Sequence, residues 1–184
     1  MSINARTLKS SLFTNSHGAD GNYKIKVKEI VDENFQDYKK SSMMIACTKC
    51  DFKCFTELGL KPDICQNMMV TQKKSIEVSL SDIFDRYKSN LITNAIVIGG
   101  LEPMLQFREF YNLISYFREN NCYDDFVIYT GYYEDEIVGE LSLLRELENI
   151  IVKFGRFIPN SKKVFDNVLG IYLASDNQYA ERIC

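Results

Sequence analysis

Three short apolar runs, each closed by glycine, constrain the fold of this sequence more than any other feature. They are Asn94–Ile98 ahead of Gly99-Gly100, Asp125–Thr130 ahead of Gly131, and Asn149–Phe154 ahead of Gly155. Runs this short and continuous suit strands buried on both faces, as in a parallel sheet. Helical patterns alternate with them. Pro103–Glu119 places Phe107, Phe110, Tyr111, Ile114 and Phe117 at helical spacing behind a proline suited to a first turn. Glu134–Leu147 turns Ile137, Leu141 and Leu144 inward and carries acidic residues in its first turn, where they suit the helix dipole. Ser79–Asn90 offers Ser79 or Ser81 as a cap and Ile83, Phe84 and Tyr87 as an apolar face. Upstream, Ser42–Cys47 reads as a buried strand, and Tyr23–Val31 alternates apolar and charged residues as one half-buried edge strand. Val168–Leu173 reads as the last strand, before Ser175-Asp176-Asn177-Gln178. The alternation of strands and helices predicts an α/β fold with a mostly parallel sheet and helices packed on it.

The 184 residues suit one domain, expected over 23–184 behind a flexible polar extension at 1–22. His17, alone in that extension, is expected to be solvated. A net charge of −3 gives no basic footprint, which argues against nucleic acid as a partner. No apolar run reaches the roughly 18 residues of a membrane span, and the N-terminus carries no secretory apolar core. The expected location is therefore the cytoplasm, where clustered cysteines hold metal or do redox chemistry more often than they form disulfides.

Four of the six cysteines, Cys47, Cys50, Cys54 and Cys65, fall within Met43–Asn67. Two spacings compete. Cys47, Cys50 and Cys54 form a tight trio, whereas Cys50, Cys54 and Cys65 form a spread one. All four together suit a closed zinc site; three with one iron left open suit an iron–sulfur cluster built for chemistry. Spacing alone leaves both open. Glycines and polar residues gather where each strand ends, at the edge where parallel α/β folds bind ligands. Gly99-Gly100-Leu101-Glu102-Pro103 is one such end, where paired glycines let a ligand approach the backbone and the carboxylate can accept from an ammonium group. Cys122 and Cys184 match no pattern and are expected to be bystanders.

From about residue 40 to the end, the sequence resembles the radical S-adenosylmethionine (SAM) enzymes, specifically the activating enzymes of the anaerobic ribonucleotide reductase. Cys50-Asp51-Phe52-Lys53-Cys54 matches the first half of that family's cluster motif, and Ile64-Cys65-Gln66-Asn67 the second, with Phe55–Asp63 inserted between. Its Gly-Gly-Glu-Pro motif corresponds to Gly99-Gly100-Leu101-Glu102-Pro103 with one added leucine. Tyr129-Thr130-Gly131-Tyr132, Phe154-Gly155-Arg156-Phe157 and Ser175-Asp176-Asn177-Gln178 follow in the family's order. Phe154 stands where the family has Asp, and the family's N-terminal Gly-Pro-Gly-x-Arg segment has no match before Cys47.

The resemblance implies a single-domain partial (β/α) barrel of radical SAM type. It implies that Cys50, Cys54 and Cys65 hold three irons of a 4Fe-4S cluster while SAM chelates the fourth, with Cys47 pointing elsewhere. Gly99, Gly100 and Glu102 would orient the SAM amino group. Ile64 would pack on adenine, and Thr130 and Tyr132 would reach the carboxylate or ribose. Asn67, Pro103, Gly131 and Asn177 are the remaining motif positions of the SAM site. The activity implied is reductive cleavage of SAM and hydrogen abstraction from a glycine. The implied partners are the large catalytic subunit of an anaerobic ribonucleotide reductase, or another glycyl-radical protein, and an electron donor such as flavodoxin or ferredoxin. Two alternatives stand beside it: a radical SAM enzyme acting on another protein, peptide or small molecule, and a non-catalytic, zinc-stabilised four-cysteine module.

Overall fold

The computed structural model describes residues 20–184; the expected extension, apart from Asp20–Asn22, and His17 lie outside the described residues. The three glycine-closed runs become neighbouring parallel strands: β5 (Ala95–Gly99), β6 (Asp125–Tyr129) and β7 (Ile150–Phe154). β3 (Ser42–Ala46) adds a fourth parallel strand beside β5. Antiparallel strands close both edges: β2 (Glu29–Asn34) pairs with β3, and β10 (Tyr179–Arg182) pairs with β7. The order across the sheet is β10-β7-β6-β5-β3-β2. Every residue of β5 and β7 is buried, which is why both read as unbroken apolar runs.

Strand alternation divides the core in two. Ile96, Ile98, Phe126, Ile128, Ile150, Val152 and Phe154 share one core with the helices α3 (Leu80–Ser89), α4 (Phe107–Glu119) and α5 (Val138–Leu144). All three helices lie on that face. Phe117 anchors it, fully buried, with ring centroids 5.0 Å from Phe84 and 5.2 Å from Phe126 in edge-to-face geometry. Ala95, Val97, Val127 and Ile151 point the other way. They are covered by Tyr38 and by Leu169 and Leu173 of a hairpin made from β8 (Val164–Asp166) and β9 (Ile171–Leu173). No helix among the described residues is long and apolar enough to cross a membrane.

Some elements depart from the sequence reading. Tyr23–Val31 is two strands: β1 (Lys24–Val27) pairs antiparallel with β4 (Ile76–Ser79) in a sheet of its own, and β2 starts after Lys28. Lys28 makes the switch, its amide bonding the Ala46 carbonyl and its ammonium the Thr71 carbonyl at 3.0 Å. Val168–Leu173 is strand only from Ile171 and belongs to the hairpin. Asp166 turns the chain before it, its carboxylate accepting from the Val168 and Leu169 amides. The last strand is β10. Pro103–Glu119 opens with a 3-10 turn over Pro103–Gln106, and Glu134–Leu147 with one over Glu134–Glu136. Ser79 caps α3 as its sequence suggests, accepting from the Asp82 amide at 3.1 Å. Asp20–Asn22 is tied down, with the Gly21 carbonyl accepting from the Ser81 amide.

Candidate metal centre

A cavity of about 420 Å³ opens where the parallel strands end. Its sheet wall is Gly99, Gly100, Glu102, Thr130, Gly131 and Lys153; the cysteine loop supplies Cys50, Cys54 and Cys65; β9 and Asp37 face them. The loop starts as a continuation of the sheet. The Cys47 amide bonds the Gly99 carbonyl at 2.9 Å, and the Glu102 amide bonds the Lys49 carbonyl at 2.8 Å. Phe52 then takes a left-handed conformation (φ 56) and donates its amide to the Cys50 sulfur at 3.3 Å. A short helix, α1 (Lys53–Thr56), carries Cys54. The inserted stretch leads through a 3-10 turn, Pro62–Ile64, to Cys65, and α2 (Met68–Gln72) follows.

The thiols are not alike. Cys47 is fully buried in the helical core and does not line the cavity; burial pushes its thiol far up. Cys50, Cys54 and Cys65 are partly exposed and share the cavity. Burial pushes the Cys50 thiol up to about 12, with the charges of Glu102, Asp51 and Cys54 adding to it. Burial also raises Cys54, partly offset by the Phe157 amide and the cations Lys153 and Arg156. The Cys54 sulfur presses on the next strand end: a Cβ on Gly131 would stand 3.3 Å from it. Among the described residues, no three His, Cys, Asp or Glu side chains stand close enough to share a single metal ion.

Glu102 is the fixed acid of the site, 6% exposed. Its carboxylate accepts from the Thr130 hydroxyl at 2.7 Å and from the Gly131 and Met104 amides at 2.8 and 3.0 Å. Burial still lifts its pKa above the usual carboxylate range, against the pull of those bonds. The paired glycines serve packing as well as access. A Cβ on Gly99 would meet Tyr129 Cβ at 3.0 Å, and one on Gly100 (φ +74) would meet Ala46 Cβ at 3.2 Å.

Arg156 clamps the loop to this edge. Its guanidinium bonds both oxygens of Glu136 at 2.5 and 2.7 Å, Glu57 of the inserted stretch at 2.7 Å, and the Gly131 carbonyl at 2.8 Å. Tyr132 adds a second tie, donating its hydroxyl to Asp51 at 2.6 Å, with the Lys53 ammonium 4.3 Å from its ring centroid.

Of the residues expected at a SAM site, Asn67, Gly99, Gly100, Glu102, Thr130 and Gly131 line the cavity with the three cysteines. Ile64, Pro103, Tyr132 and Asn177 do not. Ile64 is 55% exposed, Pro103 is buried at the head of its 3-10 turn, Tyr132 is engaged with the loop, and Asn177 donates to the Arg156 carbonyl at 2.9 Å. Lys153 is a lining residue that the sequence reading passed over. Its signal was a lone lysine inside the apolar run Ile-Ile-Val-Lys-Phe, at the position that alternation places beside Ile151 on the cavity face. Its ammonium bonds the Gly155 carbonyl at 2.8 Å, and burial lowers its pKa to about 8 although Cys54 and Glu102 support the charge.

An α/β sheet whose strand ends meet a loop of three partly exposed thiols around one cavity makes a thiolate-lined site of the kind that holds a metal or an iron–sulfur cluster. The family model for the 4Fe-4S single cluster domain matches residues 39–178, spanning the cysteine loop, the four parallel strands and the hairpin. The chain belongs to that family of iron–sulfur proteins. No curated protein and no solved structure matches it.

Proposed function

We propose that Cys50, Cys54 and Cys65 hold the 4Fe-4S cluster with one iron left open, and that the chain is a radical SAM activase forming a glycyl radical on an anaerobic ribonucleotide reductase. The observation that carries this reading is the sorting of the four clustered thiols. Three line one cavity with Gly99, Gly100 and Glu102, and the fourth, Cys47, is sealed in the core. A closed zinc site would need Cys47 beside the others.

The cavity residues suit SAM in kind. Glu102, oriented by three donors, presents a carboxyl group that can accept from an amino group; Thr130 and Gly131 bring polar backbone to the same edge, and Asn67 closes the loop side. Together, a reduced cluster and SAM supply a hydrogen-abstracting radical. The chain binds and orients the pair, and the hairpin, with the loop, shields them from water. The sheet, with three helices on one face and the cavity at its strand ends, is read as the partial barrel of such enzymes. On this reading the substrate glycine is presented at the cavity by a partner protein.

The test is anaerobic reconstitution with iron and sulfide. The expected product has broad absorption near about 400 nm, releases methionine and 5′-deoxyadenosine from SAM on reduction, and gives a glycyl radical signal by electron paramagnetic resonance when mixed with a cognate anaerobic reductase. Stoichiometric zinc without SAM cleavage would overturn the radical reading. SAM cleavage without a glycyl radical would move the substrate to another protein, peptide or small molecule.

A further inference from the structure

Lys153 is a buried cation with no ion-pair partner among the described residues. It is 6% exposed and is the only cation among the described residues lining the cavity. Two of its three N–H groups reach carbonyls, those of Gly155 at 2.8 Å and Thr130 at 3.5 Å, which leaves one donor unspent. The nearest acid by charge, Glu102, takes the Thr130 hydroxyl and two backbone amides and makes no ion pair with Lys153 among the described residues. Nor can a neighbouring cation take its place, because Arg156 is engaged by Glu57 and Glu136. A buried ammonium that makes no ion pair among the described residues, supported only through space by Glu102 and Cys54, is costly and favours a further negative group in the cavity. Cys54 reaches the same strand edge, its sulfur against Gly131, the residue after Thr130.

We propose that the Lys153 ammonium offsets the negative charge of the cluster held by Cys50, Cys54 and Cys65, and so raises its reduction potential. This rests on the cluster assignment above but not on SAM. Three thiolates make the cluster site anionic, and each reduction adds one electron from an external low-potential donor. No bond forms or breaks, and the lysine keeps its protons. The added negative charge is stabilised by a fixed cation in a site of low polarisability, which favours the reduced state. Lys153 is thus the residue that sets how readily this centre accepts its electron.

The experiment is a redox titration of the reconstituted full chain without SAM, reduced with titanium(III) citrate and followed by electron paramagnetic resonance. Lys153→Met is compared with Lys153→Arg. At a fixed poise the Met variant is expected to show an at least tenfold lower ratio of reduced to oxidised cluster, a midpoint about 59 mV more negative, while Arg stays near wild type. If Met loses the cluster while Arg retains it, Lys153→Gln is titrated in its place, with the same negative shift expected and an unchanged midpoint overturning the proposal. An unchanged midpoint in a fully loaded Met variant overturns it, whether or not SAM binding weakens, since the lysine would then serve something else. Cluster loss in both variants overturns it too, because shape rather than charge would be required. Absence of a cluster from the wild-type chain sinks this inference and the proposed function together; an unchanged midpoint sinks this one alone.

Discussion

At the scale of single residues, the site turns on where each thiol sits rather than on how many there are. Cys47 follows directly from the end of β3, its amide still in the sheet ladder, so its side chain falls into the helical core. A thiol there behaves as a small apolar group. Cys50, Cys54 and Cys65 come after the chain has left the sheet, on a loop that wraps the cavity. The predicted consequence is a split. Cys50→Ala, Cys54→Ala and Cys65→Ala each lose the cluster, read as iron per chain and visible absorption after reconstitution. Cys47→Ala keeps it and loses only about 1 kcal/mol of stability for the small cavity left behind. Cluster loss in Cys47→Ala together with retention in Cys65→Ala would return the assignment to the tight trio.

At the scale of elements, the loop is held by polar ties more than by apolar burial. Phe55 is the buried residue of α1, and the 3-10 turn and α2 bury none. Arg156 supplies the main tie, through Glu57 on the loop and Glu136 ahead of α5. Its guanidinium holds the Glu136 carboxyl down to about 2. A depressed carboxylate contributes stability that is present above its unfolded value, about 4.3, and lost as pH falls through the folded one. Metal-free Arg156→Gln should therefore melt lower at pH 7, by the equivalent of about 2 kcal/mol, and the difference from wild type should shrink between about pH 4 and pH 2. A pH-independent difference in thermal melts would show that Arg156 acts through packing alone.

The elements also show what could be read in advance. β5, β6 and β7 were legible because strands buried on both faces cannot avoid an apolar run. β10, Tyr-Ala-Glu-Arg, was not, because an edge strand shows half its residues to water and loses that signature. β1 and β2 looked like one strand because the alternation over 24–28 runs on after a single phase break at Lys28-Glu29, where a tertiary bond makes the switch. At the site, the shared cavity of the three thiols with Gly99 and Glu102 follows the motif order, whereas the places of Ile64, Tyr132 and Asn177 depend on side-chain partners that no spacing encodes.

At the scale of the whole molecule, these differences make stability uneven. The central strands are locked by continuous ladders and by apolar cores on both faces. The cysteine loop has short helices, exposed Leu58, Leu60, Ile64 and Met69, and few buried contacts. Segments of that kind open at the low end of the free-energy range, while ladder strands open only near global unfolding. A ligand that binds the folded loop and not the unfolded one adds its binding energy to the loop's own stability. Amide hydrogen exchange on the metal-free chain should therefore show fast exchange across 53–72 and strong protection in β5, β6 and β7. Reconstitution should slow exchange in 53–72 by at least about tenfold, a change of about 1.4 kcal/mol, with little effect on β6. Equal protection of loop and sheet in the metal-free chain would mean that the Arg156 and Tyr132 ties alone fix the loop. Slower exchange in the sheet but not the loop would place the cluster's contacts away from Cys50, Cys54 and Cys65.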